Sequence, residues 1–258
     1  MTDSTSIYDS ARLAVGYAYH RPPIHQGIVK RIRERLRLAG KARRALDVGC
    51  GAGLSTAAIQ PLAETVVGIE PAPRMLENRK TVSATAEFLV GEAERLPFAS
   101  GAFDLITAAG SVSYADLDLF FPEVERALAP EGALVIYDFS VGRRFHDDSR
   151  LEDWVEMFKK RYPEPTGYEL DVRRLDYSQY GLQLDDYEEL VVATPMAIGS
   201  YLYYILSETR VELAISRGEP EAAIRDWCHS TLLNVFGDET REVLFDAYIA
   251  YVTRDRGR

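Results

Sequence analysis

The stretch Ala45-Leu46-Asp47-Val48-Gly49-Cys50-Gly51-Ala52-Gly53 decides the fold of this chain. Its first residues form a short apolar run, typical of a strand buried on both faces of a parallel sheet. Three glycines follow at alternate positions, and residues 54–59 then have the composition of a helix start. A strand, a glycine turn and a helix in this order are typical of the nucleotide-binding loop of an open α/β sheet. Glycine suits such a loop because the backbone turns tightly and lies against a ligand without an intervening Cβ atom.

The spacing of these glycines separates three kinds of loop. The dinucleotide fingerprint G-x-G-x-x-G has its third glycine where this chain has Leu54, which disfavours an NAD-dependent oxidoreductase. No Gly-Lys-Ser/Thr follows, which excludes a phosphate-binding P-loop. The stretch also holds no Lys or Arg to neutralise a pyrophosphate, so a nucleoside with a zwitterionic tail fits it better. The alternative is a turn without a ligand, in which three glycines would cost conformational entropy for no gain.

A carboxylate ends the next apolar run. Residues 65–70 read Thr-Val-Val-Gly-Ile-Glu, and Pro71 stops the strand ladder directly after them. An acid about 20 residues beyond the first glycine, at the tip of the second strand, accepts hydrogen bonds from ribose hydroxyls. A lone Glu after a strand is usually only solvated, but its spacing from the glycine loop favours a ribose role for Glu70.

Five segments in order resemble the class I S-adenosylmethionine-dependent methyltransferases. More closely, they resemble the small-molecule branch that includes the ubiquinone/menaquinone-type ("type 11") enzymes. The glycine loop is similar to the first motif of that family, and residues 68–71 to its acidic second-strand motif. Residues 91–98 resemble its GDAExLPF segment, 103–106 its fourth strand, and 121–132 the helix and turn before its fifth strand. The resemblance covers roughly residues 40–140, and the last third of the chain matches far less well.

The resemblance implies S-adenosylmethionine as the cofactor. The glycine loop would pass under its methionine and ribose, and Asp47 would hold the loop in shape or reach the amino group through water. Glu70 would hold the ribose, and Glu92, where relatives more often have Asp, would accept from the adenine amino group. The predicted cofactor-binding residues are Tyr17, Tyr19, Arg21, Asp47, Gly49, Cys50, Gly51, Gly53, Glu70, Pro71, Ala72, Glu92, Ala93, Ala109, Gly110 and Ser111.

The N-terminal stretch enters this set because residues 17–23 resemble the Y-x-x-x-R-P opening of the same branch. There the Tyr and Arg close over the cofactor, and Arg21 would form a forked ion pair with the methionine carboxylate. The alternative is an aromatic anchor that pins the N-terminus to the domain. We also expect residues 7–22 to have little regular periodicity and to order over the cofactor as a lid.

The acceptor side departs from the family pattern. Relatives often read LHWxD where residues 112–116 read Val-Ser-Tyr-Ala-Asp, so Ser113 stands in place of the common His. The general base is therefore unassigned, with His20 and Tyr114 as the catalytic candidates. Tyr114, Tyr201 and Tyr204 are the candidates for contact with the acceptor, although aromatic residues at helical spacing are more often part of the core.

Composition limits the classes of function. The chain has 258 residues, 47% of them hydrophobic, and a formal net charge of −10. This acidity argues against nucleic acid as a partner. The sequence has no apolar run long enough for a membrane span and begins with no signal-peptide pattern. Two distant cysteines make no disulfide framework, and no His/Cys cluster has metal-ligand spacing. We expect a cytoplasmic protein, monomeric or homodimeric, without a metal.

Alternating strand and helix patterns predict a parallel sheet with right-handed crossovers. Together with the resemblance, they predict an α/β fold: a Rossmann-like, seven-stranded, mostly parallel sheet with an antiparallel last strand, helices on both faces and helical lid insertions. Predicted strands are 44–49, 65–70, 87–90, 103–109, 132–139, 184–194 and 242–252. Predicted helices are 24–38, 54–63, 73–80, 116–128, 149–162 and two within 197–236.

We expect a single methyltransferase domain over residues 1–258. Its predicted parts are an N-terminal lid and helix (1–40), a cofactor-binding core (41–139), lid or substrate insertions (140–183 and 197–236) and closing strands (184–196 and 237–258). The expected reaction is in-line methyl transfer from S-adenosylmethionine to a small, partly apolar metabolite. The alternative is a protein that binds this cofactor without methylating. The residues do not identify the acceptor, or whether oxygen, nitrogen or carbon is methylated.

Overall fold

A computed structural model describes residues 7–36, 40–164 and 170–255 of the chain. The strands are β1 (Ala42–Val48), β2 (Ala63–Glu70), β3 (Glu87–Val90), β4 (Phe103–Ala109), β5 (Leu128–Phe139), β6 (Leu182–Met196) and β7 (Arg241–Arg254). The α-helices are α1 (Ala11–Tyr19), α2 (Ile24–Arg35), α3 (Leu54–Ile59), α4 (Arg79–Val82), α5 (Leu117–Ala127), α6 (Arg150–Arg161), α7 (Ile198–Leu206), α8 (Thr209–Ser216) and α9 (Glu221–Phe236).

The strands form one sheet in the order β3-β2-β1-β4-β5-β7-β6. Strands β1 to β5 pair in parallel, and β7 pairs antiparallel with both β5 and β6. The predicted fold class is therefore confirmed. From β1 the chain runs outward through β2 and β3, then returns to β4 on the other side of β1. In open α/β sheets, ligands bind at such a reversal, beyond the carboxyl ends of the strands.

Hydrophobic cores cover both faces of the sheet. Successive residues of β5 alternate between them, with Tyr137 in one core and Ile136 in the other. The first core packs α2, α3, α6, α7 and α9 against the sheet, while the second holds α5 and the segment around Tyr177. The loops that follow the parallel strands therefore lie at the side of the sheet where these strands end. Within the described ranges, no helix combines the length and apolarity needed to cross a membrane.

Three predicted elements differ from the structure. The N-terminal stretch contains a regular helix, α1, capped by the Ser10 side chain, which accepts from the Leu13 N–H. Residues 197–236 hold three helices and not two, because the extended Glu208 separates α7 from α8. The predicted helix 73–80 is a 3-10 segment, Pro73–Asn78, that continues into the short α4. The predicted end of the helix 24–38 falls partly outside the described residues.

Candidate cofactor site

The loop after β1 adopts a backbone that requires glycine. Gly49, Gly51 and Gly53 have φ of +68°, +54° and +94°, in the left-handed region that L side chains rarely adopt. A Cβ atom on Gly49 would lie 2.4 Å from Ser111 Cβ, and one on Gly53 would lie 2.9 Å from the Phe88 ring. At Gly51 an added Cβ would meet only ordinary contact, 3.5 Å from a methionine methyl. Of these three glycines, Gly51 is therefore the one with space beside it.

Asp47, at the end of β1, holds the start of α3 under this loop. Its Oδ2 accepts hydrogen bonds from the hydroxyls of Ser55 at 2.6 Å and Thr56 at 2.7 Å. Its Oδ1 accepts from the Thr107 hydroxyl on β4 at 2.8 Å. Burial raises the pKa of Asp47, and the three hydroxyl donors oppose that rise. All these contacts lie inside the protein, so Asp47 fixes the shape of the loop.

Glu70 connects the end of β2 to the glycine loop. Its Oε2 accepts from the Gly51 N–H at 2.9 Å, and its Oε1 accepts from the Ala72 N–H at 3.0 Å. Burial raises the pKa of this carboxyl, while the two N–H bonds lower it. Because each carboxylate oxygen has two acceptor positions, each still has one to offer a hydroxyl. Glu70 is thus oriented by the backbone with acceptor capacity remaining.

The loop after β4 joins the ends of β1 and β5. The Ser111 hydroxyl donates to the Val48 carbonyl at 2.7 Å, and the Gly110 N–H donates to the Tyr137 carbonyl at 2.9 Å. Gly110 has φ of +62°, and a Cβ atom there would lie 2.9 Å from Asp138 Oδ1. Ala109 ends β4 beside Tyr137. The ends of three neighbouring strands therefore meet around Gly110.

Helix α1 lies over the segment that follows β2. Ala14 of α1 packs on Ala72 and Met75, with the rings of Tyr8 and Tyr17 alongside. The Tyr8 hydroxyl donates to the Tyr114 hydroxyl at 3.0 Å, and the Tyr8 ring packs edge-on against both other tyrosines. The N-terminal stretch and the loop after β4 thus come together. Tyr8, part of the predicted lid but not of the predicted site, bridges them.

Arg21 follows α1 and is tied to the segment between α7 and α8. Its Nη1 lies 2.8 Å from Glu208 Oε1, and its Nη2 donates to the Ser207 carbonyl at 3.0 Å. The guanidinium stacks over the Tyr17 ring, 4.1 Å from its centroid. Its Nε is buried and makes no hydrogen bond within the described part of the chain. The Arg21 charge is therefore already paired with an acid, and one buried donor remains.

The other predicted cofactor-binding residues differ in how exposed they are. The Tyr19 ring is 51% exposed, and its hydroxyl donates to Asn78. Pro71 and Glu92 are exposed, and Ala93 is half-buried. Cys50 is buried, and burial holds the pKa of its thiol well above the ordinary value. Cys50 can therefore contribute backbone but not a reactive thiolate.

Three further candidates lie away from the ends of β1, β2 and β4. His20 stacks on the Tyr203 ring with centroids 4.9 Å apart, and burial lowers its pKa. Tyr201 is fully buried, and its hydroxyl donates to the Gly142 carbonyl at 2.6 Å. Tyr204 is buried beside Arg21. Tyr114, by contrast, is 60% exposed in the loop after β4, where its side chain contacts Tyr8.

Sequence reasoning did not identify Asp138, the last but one residue of β5. It lines both a cavity of about 580 Å³ between β5, β6 and β7 and one of about 190 Å³ beside Gly110. Burial raises the pKa of its carboxyl to about 6. The sequence held a signal for it, because Asp138 follows an apolar run near the end of a strand, as Glu70 does. Among the residues that the structure describes, no three His, Cys, Asp or Glu side chains are placed to hold a metal ion.

The middle of the chain is similar to known proteins. Residues 46–136 match the model of a family described as a methyltransferase domain. A Dictyostelium discoideum protein named as a methyltransferase is 31% identical over 123 residues, 48% of this chain and 45% of that protein. The demethylmenaquinone methyltransferase of Thermus thermophilus is 40% identical over 112 residues, 40% of this chain and 50% of that protein. The matched part thus spans about half the length of these relatives.

A solved structure extends the similarity to most of the fold. It is described as a type II methyltransferase from Anaeromyxobacter dehalogenans and superposes with a TM-score of 0.66. The superposition covers 89% of this chain and 96% of that one, at 17% sequence identity. At this identity the similarity concerns the fold, and it includes the sheet and the helices outside residues 46–136.

Proposed function

We propose, on the premise that residues 46–136 form a class I methyltransferase domain, that this chain binds S-adenosylmethionine and transfers its methyl group to a small acceptor. The observation that carries the proposal is the joint geometry of Glu70 and the glycine loop. Glu70 accepts from the Gly51 N–H and keeps acceptor positions for two ribose hydroxyls. Of the three loop glycines, Gly51 is also the one with space beside it for a ligand.

Other groups fit the rest of the cofactor. The unpartnered Nε of Arg21 is a buried cationic donor suited to a carboxylate such as that of the methionine moiety. Gly110 brings bare backbone to the side of the loop that faces β4 and β5. Exposed Glu92 lies two residues beyond β3, whose last residue pairs with Glu70, and we propose that it accepts from the adenine amino group. The predicted cofactor-binding set remains our proposal on these grounds.

The chain's task in the reaction is alignment. When bound, the cofactor supplies a methyl group on a sulfonium, which is already an activated leaving group. Glu70, the loop and Arg21 would fix it, while α1 and Tyr8 cover the cleft and exclude water. Holding two reactants in line can supply roughly 7–11 kcal/mol of the barrier at best. Charged side chains line the larger cavity together with the apolar Phe139 and Leu190 and the ring of Tyr248, which suits an acceptor with both polar and apolar parts.

The test is binding followed by transfer. Calorimetry should show that S-adenosylhomocysteine binds and that NAD does not. Tritium from methyl-labelled S-adenosylmethionine should then appear in a small-molecule fraction when the protein meets a metabolite extract. Binding without transfer would favour the alternative, a protein that uses this cofactor without methylating. NAD binding without S-adenosylhomocysteine binding would refute the proposal.

A further inference from the structure

The two cavities beyond the carboxyl end of β5 share the side chains of Asp138 and Tyr248. The smaller cavity reaches Gly110 and Ser111, which border the proposed cofactor cleft. The larger one, about 580 Å³, lies in the range of about 300–1,000 Å³ typical of small-molecule sites. Asp138 therefore lies between the cofactor side and a space large enough for an acceptor.

The neighbouring acids are ion-paired, whereas Asp138 has no ion-pair partner within 4 Å among the residues that the structure describes. Asp246 is ion-paired with Arg143 and Arg144. Glu189 lies 3.5 Å from an arginine nitrogen of Arg173. The hydrogen bond that the structure gives to the Asp138 carboxylate comes from the neighbouring Phe139 N–H, at 2.8 Å. An acid in this setting has acceptor capacity for a proton donor brought in by a ligand.

We propose that Asp138 is the general base of the reaction and that the acceptor is a small molecule whose reacting oxygen or nitrogen carries a proton. This inference rests on the proposed function. The O–H or N–H bond breaks and its proton moves to a carboxylate oxygen of Asp138. The electron pair left on the acceptor atom forms the bond to the methyl carbon, and the carbon–sulfur bond breaks with its pair staying on sulfur. The larger cavity then offers the proton a route to solvent.

The surroundings of Asp138 suit this role. Burial raises its pKa to about 6, Arg21 lowers it and Glu208 raises it. A base that titrates near the working pH is the most effective kind. The other titratable or charged groups facing it are Tyr137 on β5, Tyr248 and Asp246 on β7, Tyr187 and Glu189 on β6, and Arg143 in the loop after β5. The tyrosines are neutral, because burial raises the pKa of each.

The first experiment compares Asp138→Asn and Asp138→Glu with the wild-type protein. The probes are phenol, which must lose its proton, and 4-nitrophenol at alkaline pH, which is already ionised. Tritiated methyl transfer to phenol should fall by about 100-fold or more in Asp138→Asn, in line with the usual contribution of a general base. Transfer to ionised 4-nitrophenol should change far less, and Asp138→Glu should recover part of the phenol rate. Asp104→Asn, at the opposite end of β4, is the control and should match the wild type.

If neither phenol nor 4-nitrophenol is a substrate, a second measurement tests the role of Asp138. In ¹³C NMR of the S-adenosylhomocysteine complex, the Asp138 carboxyl should titrate near pH 6. Addition of phenol should lower that pKa, because a hydroxyl donor stabilises the carboxylate. An ordinary pKa that phenol does not move would overturn the inference, as would full phenol transfer by Asp138→Asn. Unchanged S-adenosylhomocysteine binding in Asp138→Asn establishes that the variant is folded. Loss of such binding in the wild type would instead refute the proposed function.

Discussion

The Glu70 carboxylate accepts a hydrogen bond from the Gly51 N–H at 2.9 Å, so the acid that ends β2 and the loop after β1 form one unit. A residue that would bind the ribose thus also fixes the loop on which the ribose would lie. Preorganisation of this kind reduces the ordering cost that a ligand must offset on binding.

Glu70→Ala should weaken S-adenosylhomocysteine binding by about 1.5–3 kcal/mol, because hydrogen bonds to a charged group are lost. Glu70→Gln should lose less, since the amide oxygen still accepts one bond. Calorimetry measures both, and Glu87→Gln, an exposed residue at the start of β3, is the matched control. Unchanged affinity in folded Glu70→Ala would remove Glu70 from the site.

Gly49→Ala should lower the free energy of unfolding by about 1–3 kcal/mol and abolish cofactor binding. Its φ is +68°, and the new Cβ would lie 2.4 Å from Ser111 Cβ. Gly199→Ala, in α7, is the control, because an added Cβ there has nothing within 4 Å. That control should be neutral or more stable by up to about 1 kcal/mol. Urea unfolding of both variants makes the comparison, and equal stabilities would contradict this account of the loop.

Residues 7–22, which include α1, should gain protection from amide hydrogen exchange when S-adenosylhomocysteine is added. Ordering the backbone costs about 1–2 kcal/mol of conformational free energy per residue, and contacts to the ligand must offset this cost. Arg21→Ala should reduce that gain in protection, because the substitution removes the link to Glu208 and Ser207. The central strands should stay as protected as in the wild type. Arg43→Ala, which breaks an exposed pair with Asp104, should not change that gain. Equal exchange with and without bound ligand would make α1 a static anchor.

Asp138→Asn should be more stable than the wild type at neutral pH, by up to about 3 kcal/mol. Folding raises the Asp138 pKa from 3.8 to about 6, so ionisation is more costly in the folded state. Wild-type stability relative to the variant therefore falls as the pH rises from about 4 to about 6, then levels off. Urea unfolding across this pH range measures it. A variant less stable than the wild type at neutral pH would contradict the assigned environment.

The family resemblance and the fold class recognised from the sequence are confirmed. Both could be recognised because the features behind them are local in the sequence. The end of β1, its glycines and the acid of β2 lie within one strand–turn–helix–strand unit. Helix α1 escaped prediction because its packing face has small residues and not an apolar stripe. Gly16, for example, lies so close to α7 that a Cβ atom there would be 2.7 Å from Ser207 Cβ.

Contacts between residues far apart in the chain could not be predicted from local sequence patterns. The acid that pairs with Arg21 is Glu208, far along the chain in the segment least similar to the family. No sequence pattern showed that this arginine would have a partner before any ligand arrives. The break between α7 and α8 was also missed, because no Gly or Pro marks it. The Ser207 hydroxyl instead donates back to the Tyr204 carbonyl, and the chain then becomes extended at Glu208.

The most direct measurement of the central claim is a crystal structure of the complex with S-adenosylhomocysteine. We predict that both ribose hydroxyls lie about 2.5–3.0 Å from the Glu70 carboxylate oxygens, as in ordinary O–H···O bonds. We also expect the nucleoside to lie against Gly51, with the sulfur on the side of Gly110 and Asp138. A ligand bound elsewhere, or a ribose without contact to Glu70, would contradict the central claim.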